Sequence, residues 1–384
     1  MIMANNNENK ILNVPHLRFP EFSGEWKKCI IQDYGEVVTG NTPPTNNAEY
    51  YNNGSYLWAS PADLGINKNV TDTKTKLSLS GFKKTRNVPK GSVLVTCIGS
   101  TIGKMGMATE TMSSNQQINS VVVNDKNNSD FVYYAICRAF PRYLSEVGVQ
   151  AVPILSKSNF EKLPNYTTSR DEQNKIGYFL SLLDERIATQ NKIIEDLKKL
   201  KSAIYHKLFS NLQGKEQALS DLAEIIKGQQ INGSELSESG KYYVMNGGIA
   251  PSGFYDSYNT EADTISISEG GNSCGYVQYN SSEFWSGGHC YSLRIKPTSS
   301  IVTQFLFHYL KWKETDIMAL RIGSGLPNIQ KKDLSKVCIA VPTLDKQQQL
   351  ITLLSAFQMK IENEEMYVIN LGVQKQYLLS QMFI

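Results

Sequence analysis

The chain contains 384 residues, of which 20% are charged, and its formal net charge is +3 at pH 7. This length is sufficient for two or three domains with separate cores. The small net charge excludes a strongly basic, histone-like protein, but it allows a nucleic-acid ligand if the basic side chains lie on one face. The six cysteines lie far apart without a C-x-x-C pair, which argues against a zinc site and against a disulfide framework.

The first residues, "MIMANNNENKIL", are rich in asparagine and predict a flexible tail over residues 1–12. They lack the long apolar core of a signal peptide, and no stretch of the chain approaches the roughly 18 apolar residues of a membrane span. We therefore expect a cytoplasmic protein that makes no contact with a membrane.

The segment "VVTGNTPPT", residues 37–45, follows the first predicted strand and is similar to a catalytic motif. Asn41-Thr42-Pro43-Pro44 is close to the N-P-P-aromatic tetrad with which amino-methyltransferases hold a flipped base. However, Thr42 separates the asparagine from the prolines, Thr45 stands in place of the aromatic ring, and no glycine-rich S-adenosylmethionine loop follows a strand. A Gly-x-Thr-Pro turn explains the segment more simply, because proline presets the backbone of a turn.

Two further segments match catalytic motifs incompletely. "PADLGINK", residues 61–68, lacks the E-x-K part of a nuclease core. "GSTIGK", residues 99–104, is one residue shorter than a P-loop, and Met105 replaces the hydroxyl that would bind magnesium. The backbone N–H groups of this loop and Lys104 would instead suit a DNA phosphate. The four histidines are scattered without the spacing of a metal site or a triad, so the sequence argues against catalysis.

Short β-branched runs separated by Gly, Asn and Ser predict strands and turns in two parts of the chain. The runs are "GSVLVTCIG" and "INSVVV" in the first part and "DTISIS" and "CYSLRI" in the second. The segments "FVYYAICRAFPRYL" and "FLFHYLKWKETDIMAL" predict one buried helix in each part. Each part is therefore expected to be a mixed α+β domain with a curved or barrel-like sheet.

Residues 171–210 predict a helix of about 40 residues and about 60 Å, because apolar side chains recur in alternating steps of four and three. Such a stripe requires a partner helix. The polar interruptions at Gln190 and Lys201 recur in the second copy as Glu364 and Lys375. We predict an antiparallel pair in which facing residue numbers sum to 565, so that Lys201 lies beside Glu364. The alternative is two amphipathic helices that pack separately on their own domains.

An internal repeat connects these parts. Residues 153–210 align without gaps to residues 327–384 at an offset of 174, with 11 of 58 pairs identical. Earlier segments also correspond, "DYGEVVTGNT" with "DLAEIIKGQQ" at an offset of 188, and "VTCIGSTIGK" with "ISEGGNSCGY" at an offset of 172. The first copy therefore carries about 16 extra residues, which we place in "NAEYYNNGSYLWASPADLG". The predicted order is globular unit, helix, globular unit, helix.

Predicted loops in both copies combine basic, amide and hydroxyl side chains. Asn and Gln can bind adenine bidentately in the major groove, and Arg or Lys can bind guanine. For any single residue a solvated polar loop is the alternative. Two related but different loop sets imply two different DNA half-sites. The candidate DNA-binding residues are Asn41, Thr42, Lys83, Lys84, Arg86, Ser100, Thr101, Lys104, Asn115, Gln116 and Gln117 in the first copy, and Lys227, Gln229, Gln230, Asn246, Asn272, Ser273 and His289 in the second.

The order of these parts resembles the specificity subunits of type I restriction–modification enzymes. The resemblance covers about residues 13–384 and rests on "VPHLRFPEFSGEWKK" before "VVTGNTPPT", on "KGSVLVTCIGSTIGK", on "LSKSNFEKLP" before the long helix, and on the shorter second round. It implies an α+β fold with two mixed α/β target-recognition domains, two long helices forming an antiparallel coiled coil, and an internal pseudo-two-fold repeat. The implied parts are a flexible tail (1–12), a first recognition domain (13–155), a first spacer helix region (156–213), a second recognition domain (214–329) and a second spacer helix region (330–384).

In that family each recognition domain reads one half of a split double-stranded DNA site, and the helices set the gap between the halves. The resemblance implies a non-catalytic chain that binds no cofactor itself. Two modification subunits would use S-adenosylmethionine, and restriction subunits, the motor-nucleases, would use ATP and magnesium. The second copy lacks the Gly-x-Thr-Pro turn, so the role of that turn does not transfer directly to Gln229 and Gln230. The alternatives are a DNA methyltransferase or nuclease acting on its own, and a scaffold with duplicated lectin-like domains that does not bind DNA.

Overall fold

The computed structural model describes residues 2–3, 13–147, 154–323, 325 and 327–384. The chain divides into two compact units: unit 1 comprises residues 1–192 and 365–384, and unit 2 comprises residues 193–364. The predicted tail lies outside the described residues except for Ile2–Met3, which pairs as a short strand with Leu17–Arg18. The boundaries that the sequence suggested for the recognition domains stay a prediction.

The described strands of unit 1 are β1 (Ile2–Met3), β2 (Leu17–Arg18), β3 (Lys27–Ile30), β4 (Gly35–Thr39), β5 (Tyr56–Ala59), β6 (Asn69–Val70), β7 (Thr75–Leu77), β8 (Asn87–Val88), β9 (Val93–Thr96), β10 (Met105–Ala108), β11 (Met112–Ser114), β12 (Ile118–Val123) and β13 (Pro164–Thr167). Its helices are α1 (Ile31–Tyr34), α2 (Leu79–Phe82), α3 (Ser129–Val147), α4 (Lys157–Glu161) and the first half of α5 (Arg170–Ser210). The main sheets have the strand orders β4-β12-β9-β10-β6 and β7-β5-β11-β8, and β13 pairs with β3.

The described strands of unit 2 are β14 (Lys215–Ala218), β15 (Ala223–Lys227), β16 (Tyr242–Met245), β17 (Phe254–Tyr255), β18 (Thr264–Ser268), β19 (Val277–Asn280), β20 (Trp285–Ser286), β21 (Cys290–Ile295) and β22 (Cys338–Val341). Its helices are α6 (Leu219–Leu222), α7 (Thr303–Trp312), α8 (Glu314–Ala319), α9 (Lys331–Leu334) and the first half of α10 (Leu344–Met382). The strand orders β15-β21-β18-β19, β17-β16-β20 and β14-β22 reproduce those of unit 1 without β6 and β8.

This correspondence corrects the position of the extra residues in the first copy. We expected them in "NAEYYNNGSYLWASPADLG", but β5 lies inside that segment and pairs in parallel with β11, as β16 pairs in parallel with β20. The segment thus contains a strand common to both copies. The extra residues lie later, between β5 and β9, where unit 1 adds β6 and α2 on either side of β7. The basic loop that follows α2 therefore has no counterpart in unit 2.

The central strand β9 is buried on both faces, which explains why its first three residues, Val93, Leu94 and Val95, are all apolar. Val93 and Val95 face a core that contains Phe131 and Tyr134 of α3, whereas Leu94 faces a second core with Leu57 of β5. Successive side chains of a strand point to opposite faces, so a strand covered on both faces becomes a continuous apolar run. In unit 2, Ile265 and Ile267 of β18 likewise share a core with α7.

The second buried helix differs from its prediction. The segment 305–320 was expected to form one helix, but Lys313 ends α7 and begins α8. The break brings α8 against the loop after β18, where a Cβ atom on Gly275 would lie 2.8 Å from the Met318 Cα atom. After the break, α8 packs directly on the backbone of this glycine.

A buried glutamine links the globular part to the long helix in each unit. The Gln173 Oε1 atom accepts a hydrogen bond from the Asn128 backbone N–H at 2.8 Å, and the Gln347 Oε1 atom accepts one from Val302 N–H at 2.8 Å. Both amides also donate, to the carbonyls of Thr168 and Pro342. These contacts are related by the 174-residue offset, so the repeat extends to individual hydrogen bonds.

The two long helices pair antiparallel, as predicted. In unit 1 the beginning of α5 shares a core with the end of α10, and in unit 2 the end of α5 shares a core with the beginning of α10. The Lys375 ammonium contacts Asp184 at 2.5 Å in unit 1, and the Lys201 ammonium contacts Gln358 at 2.5 Å in unit 2. The residue numbers of both pairs sum to 559, six below the predicted 565. Among the described residues, no helix combines the length and the apolar content needed to cross a bilayer.

Candidate nucleic-acid interface

A glycine at the end of the first sheet strand brings the candidate loops together in each unit. A Cβ atom on Gly40 would lie 2.2 Å from the Ser114 carbonyl oxygen, and one on Gly228 would lie 2.2 Å from that of Gly287. Only glycine allows this approach of two backbones. This is why "VVTGN" and "IIKGQ" keep their glycine while their neighbours differ. The loop after β4 or β15 thereby packs on the loop that follows β11 or β20.

Asn41 connects the first loop of unit 1 to the basic loop. Its Nδ2 atom donates to the Lys84 carbonyl at 2.9 Å, and its Oδ1 atom accepts from the Arg86 backbone N–H at 2.7 Å. The Arg86 guanidinium donates a hydrogen bond to the Thr39 carbonyl at 2.9 Å. With both ends of its amide engaged by backbone, Asn41 positions the basic loop, and Lys83, Lys84 and Arg86 remain exposed.

Internal hydrogen bonds occupy the Asn41 amide and the Pro43 carbonyl, the groups with which a methyltransferase tetrad would hold a base. The Pro43 carbonyl accepts the Tyr51 hydroxyl at 2.8 Å, and Pro43 itself is buried. The Asn41 carbonyl accepts the Trp58 indole N–H at 3.1 Å. In unit 2 the carbonyl of Gln229 accepts the indole N–H of Trp285 at 3.0 Å. The tetrad-like segment is thus a hydrogen-bonded turn. The second copy lacks the prolines, and its indole hydrogen bond comes from β20, which is not the counterpart of β5.

The amide cluster after β11 faces this turn. The Thr42 hydroxyl donates to the Gln116 Oε1 atom at 2.6 Å, and Gln116 is exposed. Asn115 is buried, and its Oδ1 atom accepts the Gln117 backbone N–H at 3.0 Å. The half-buried Gln117 is engaged on both sides of its amide, because its Oε1 atom accepts from the Asn115 side chain at 3.1 Å and its Nε2 atom donates to the Ile98 carbonyl at 3.4 Å. Asn115 and Gln117 therefore shape the loop, whereas Gln116 is exposed to a ligand.

The backbone geometry of the "GSTIGK" loop requires its two glycines. Gly99 and Gly103 have φ angles of +94° and +90°, and the matching Gly271 and Gly275 have +83° and +93°. A Cβ atom on Gly103 would lie 2.9 Å from the Phe140 ring, so this glycine also allows α3 to pack on the loop. Of the candidate residues in these loops, Ser100, Lys104 and Asn272 are exposed, and Thr101 and Ser273 are half-buried. Lys104 lies against Gly65, beside α3.

In unit 2 several candidate residues surround the carboxylate of Glu269, which is not among the residues predicted from the sequence. The buried Glu269 accepts the Lys227 ammonium at 2.7 Å and the Tyr291 hydroxyl at 3.0 Å through the same oxygen. The exposed His289 ring lies 4.0 Å from the other oxygen. The Asn246 Oδ1 atom accepts the His289 backbone N–H at 2.9 Å. The sequence does contain an indication of this site. Glu269 directly follows the apolar strand "TISIS", where buried side chains are expected, and a glutamate is rarely buried without a specific partner.

Gln229 and Gln230 are both exposed beside this cluster. The Gln230 side chain packs over Gly288, where a Cβ atom would lie 2.4 Å from its Oε1 atom. At the 188- and 172-residue offsets this contact matches that of Thr42 with Gln116 in unit 1. The two units therefore place different side chains on the same loop frame.

The charge of the two candidate surfaces differs. Within the part of the chain that the structure describes, Lys83, Lys84 and Arg86 have no carboxylate within 4.0 Å, whereas Lys227 is paired with Glu269. In the described ranges, no group of three or more His, Cys, Asp or Glu side chains is placed to hold a metal ion. Each unit thus presents amide, hydroxyl and basic side chains from several loops at one edge of its sheets, and the chain contains this arrangement twice.

Comparison with known proteins identifies the family. The chain belongs to the family described as type I restriction modification DNA specificity domain, whose model matches residues 23–199 and 214–371. A putative type I specificity subunit of Mycoplasma pneumoniae is 32% identical over 173 residues, which are 44% of this chain and 46% of that protein. The HindI specificity subunit of Haemophilus influenzae is 26% identical over 185 residues, which are 46% of this chain and 39% of that protein. The chain thus spans less than half the length of these curated relatives.

Solved structures show the same fold. The S subunit of a type I restriction–modification system from M. genitalium superimposes with a TM-score of 0.65 and 22% identity, covering 97% of this chain and 99% of that one. A chain from a structure of type I R-M complex assembly gives a TM-score of 0.58 and 14% identity, covering 93% of this chain and 97% of that one.

Proposed function

We propose that this chain is the DNA-recognition subunit of a type I restriction–modification complex. It reads a bipartite, asymmetric double-stranded DNA site in the cytoplasm and directs adenine methylation and cleavage by partner subunits. The observation that carries the proposal is the duplicated loop frame with different side chains. Gly40 and Gly228 hold equivalent turns, but Thr42 and Gln116 in unit 1 are replaced by Gln230 and Gly288 in unit 2. A conserved frame with exchanged side chains is what reading two different half-sites requires.

The helix pair offers a surface for the partner subunits. In unit 1, Met366, Ile369, Val373 and Tyr377 recur in steps of three and four along α10 and are 54–64% exposed. Tyr178 on α5 is 66% exposed. An exposed apolar stripe of this kind is typical of a protein–protein contact. We assign this stripe to one of the two modification subunits of the proposed complex. We place the use of S-adenosylmethionine on the modification subunits and that of ATP and magnesium on the restriction subunits.

The decisive experiment reconstitutes the chain with modification subunits and maps methylated adenines across a genome. We expect methylation at one split, asymmetric motif, and none when the chain is omitted. Transfer of methyl groups by the purified chain alone would instead support an independent methyltransferase. DNA binding that is absent, or that does not weaken with added salt, would support a scaffold role and contradict the proposal.

A further inference from the structure

Unit 2 contains a cavity of about 490 Å³ between the second half of α5, the end of α7 and the first half of α10. Its lining includes Lys201 and Tyr205 of α5, Lys311 and Trp312 of α7, and Thr315 of α8. The cavity is separate from the recognition loops. Cationic, hydroxyl and aromatic groups converge in it, and the proposed function uses none of them.

The internal repeat provides a comparison for this cavity. Four of its lining positions, 198, 201, 202 and 361, correspond at the 174-residue offset to four that line a cavity of about 320 Å³ in unit 1. In unit 1 the ammonium of Lys375 contacts the carboxylate of Asp184. In unit 2 the equivalent Lys201 contacts the neutral amide of Gln358. The second copy has kept the lysine and lost its carboxylate.

The charges around the two cavities differ accordingly. Two lysines and two carboxylates line the cavity of unit 1, which is neutral as a whole. The lining of the cavity in unit 2 has three lysines and a single carboxylate, Glu314. Glu314 contacts Lys311 at 2.6 Å and also accepts the Val277 backbone N–H at 2.8 Å. Outside the lining, Glu362 accepts a hydrogen bond from Gln358.

Lys201 contacts an amide and an aromatic ring, whereas Lys311 is paired with a carboxylate. Burial and then the nearby Lys311 ammonium lower its pKa, and the Glu362 carboxylate opposes this effect. The Lys201 ammonium also lies 5.3 Å from the centre of the Tyr205 ring. A half-buried cation held by an amide and a ring gains more from an anion than a solvated lysine does, because the local dielectric is lower.

We propose that this cavity binds a phosphate or phosphomonoester anion, which takes the place that the Asp184 carboxylate occupies in the first copy. The ammonium groups of Lys201 and Lys311 would contact the anion, and the hydroxyls of Ser202 and Thr315 line the same cavity. Several converging donors suit an anion with several acceptor oxygens. The volume exceeds that of one phosphate, so the cavity also has room for a group esterified to it. The site is independent of the proposed DNA recognition.

The test compares the full-length wild-type chain with three variants in sodium phosphate and in sodium chloride of equal ionic strength. Lys201→Gln removes the cation, and Gln358→Asp restores the carboxylate of the first copy. Lys207→Gln removes an exposed lysine of α5 outside the cavity. Saturating phosphate should raise the Tm of the wild type and of Lys207→Gln by about 2 °C or more. Calorimetric titration should show at least about a ten-fold loss of phosphate affinity in the other two variants.

Gln358→Asp also guards against misfolding, because a cooperative thermal transition in chloride would show that it is folded while its internal ion pair with Lys201 abolishes the response to phosphate. An equal rise in all four proteins would reflect the general stabilising effect of phosphate on folded chains and would overturn the proposal. Titration with adenosine monophosphate identifies the source of the anion. Binding at least about ten-fold tighter than inorganic phosphate would indicate a nucleotide, and equal binding would indicate free phosphate. If Lys201 contributes to the binding of duplex DNA and the chain binds neither inorganic phosphate nor adenosine monophosphate, the proposed anion site is wrong.

Discussion

Gln347 shows how one side chain can hold the start of a helix in place. It is fully buried, accepts from the Val302 N–H, and donates to the carbonyls of Ser300 at 3.1 Å and Pro342 at 3.0 Å. Its buried amide therefore provides hydrogen-bond partners for three backbone groups. Because an unpaired buried polar group costs more than a hydrogen bond contributes, the glutamine is difficult to replace.

We expect Gln347→Leu to lower the free energy of unfolding by about 2–4 kcal/mol, because it leaves these backbone groups without partners. Urea titration followed by circular dichroism measures the change. The matched control is Gln349→Leu, two residues further along α10, where the side chain is exposed and donates a hydrogen bond to Asp345. This control should change stability by less than about 0.5 kcal/mol. Equal losses in both variants would show that the amide network has no special role.

Lys84 is the residue at which the proposed DNA contact can be tested without disturbing the loop. Asn41 holds the loop through the Lys84 carbonyl, so the side chain can be truncated while the backbone contact remains. Lys84→Ala should weaken DNA binding and reduce the slope of log K against log salt by about one. The control is Lys126→Ala, an exposed lysine beyond the opposite end of β12 from Gly40. The assignment fails if the slope is the same in both variants.

At the scale of elements, the sequence predicted the duplicated fold because the repeat preserves buried positions. Leu180 and Leu354 are identical in the two copies, and both are fully buried. The extra segment was misplaced because "NAEYYNNGSYLWASPADLG" is rich in Asn, Tyr and Ser and has the composition of a loop, although β5 lies within it. Composition does not reveal that a short strand finds a parallel partner far along the chain.

The helix register could not be predicted for a different reason. Apolar spacing determines which face of a helix is buried, but not the axial alignment of two helices. We aligned polar interruptions with each other, whereas Lys201 and Lys375 contact polar residues that lie outside the apolar seam, Gln358 and Asp184. Glu269 was missed similarly, because its partners Lys227 and Tyr291 lie on other strands.

A double-mutant cycle on Asp184 and Lys375 tests the observed register in unit 1. Asp184 also accepts the Tyr134 hydroxyl at 2.5 Å, and both charged side chains are less than a fifth exposed. Asp184→Asn should cost about 1–3 kcal/mol of stability, and adding Lys375→Met should recover part of the loss, with a coupling energy of at least about 1 kcal/mol. The neighbouring Glu185→Gln is the control, because Glu185 is exposed. A coupling energy below about 0.5 kcal/mol would contradict the register.

At the scale of the whole molecule, the proposed function assigns the long helices the task of setting the gap between two DNA half-sites. Both α5 and α10 run without interruption through the residue numbers at which the chain divides into units, 192/193 and 364/365. A deletion near these boundaries shortens the helices where they pass from one unit to the other and leaves the recognition loops intact. Because the apolar seam repeats every seven residues, removing one heptad from each helix preserves the pairing face.

We therefore expect matched deletion of residues 189–195 and 358–364, which retains the exposed stripe from Met366 to Tyr377, to change the DNA gap that the reconstituted complex methylates. Seven helical residues correspond to about 10 Å, or about three base pairs of DNA. Methylation at the original gap should fall at least about ten-fold while the two half-site sequences stay the same, measured on a series of duplexes with gaps of different length. Deleting residues 189–195 alone is the control, because it disturbs the match between the helices and should reduce activity at every gap. If the matched deletion leaves the preferred gap unchanged, the helices do not set the spacing, and the distance between half-sites must be fixed by the partner subunits.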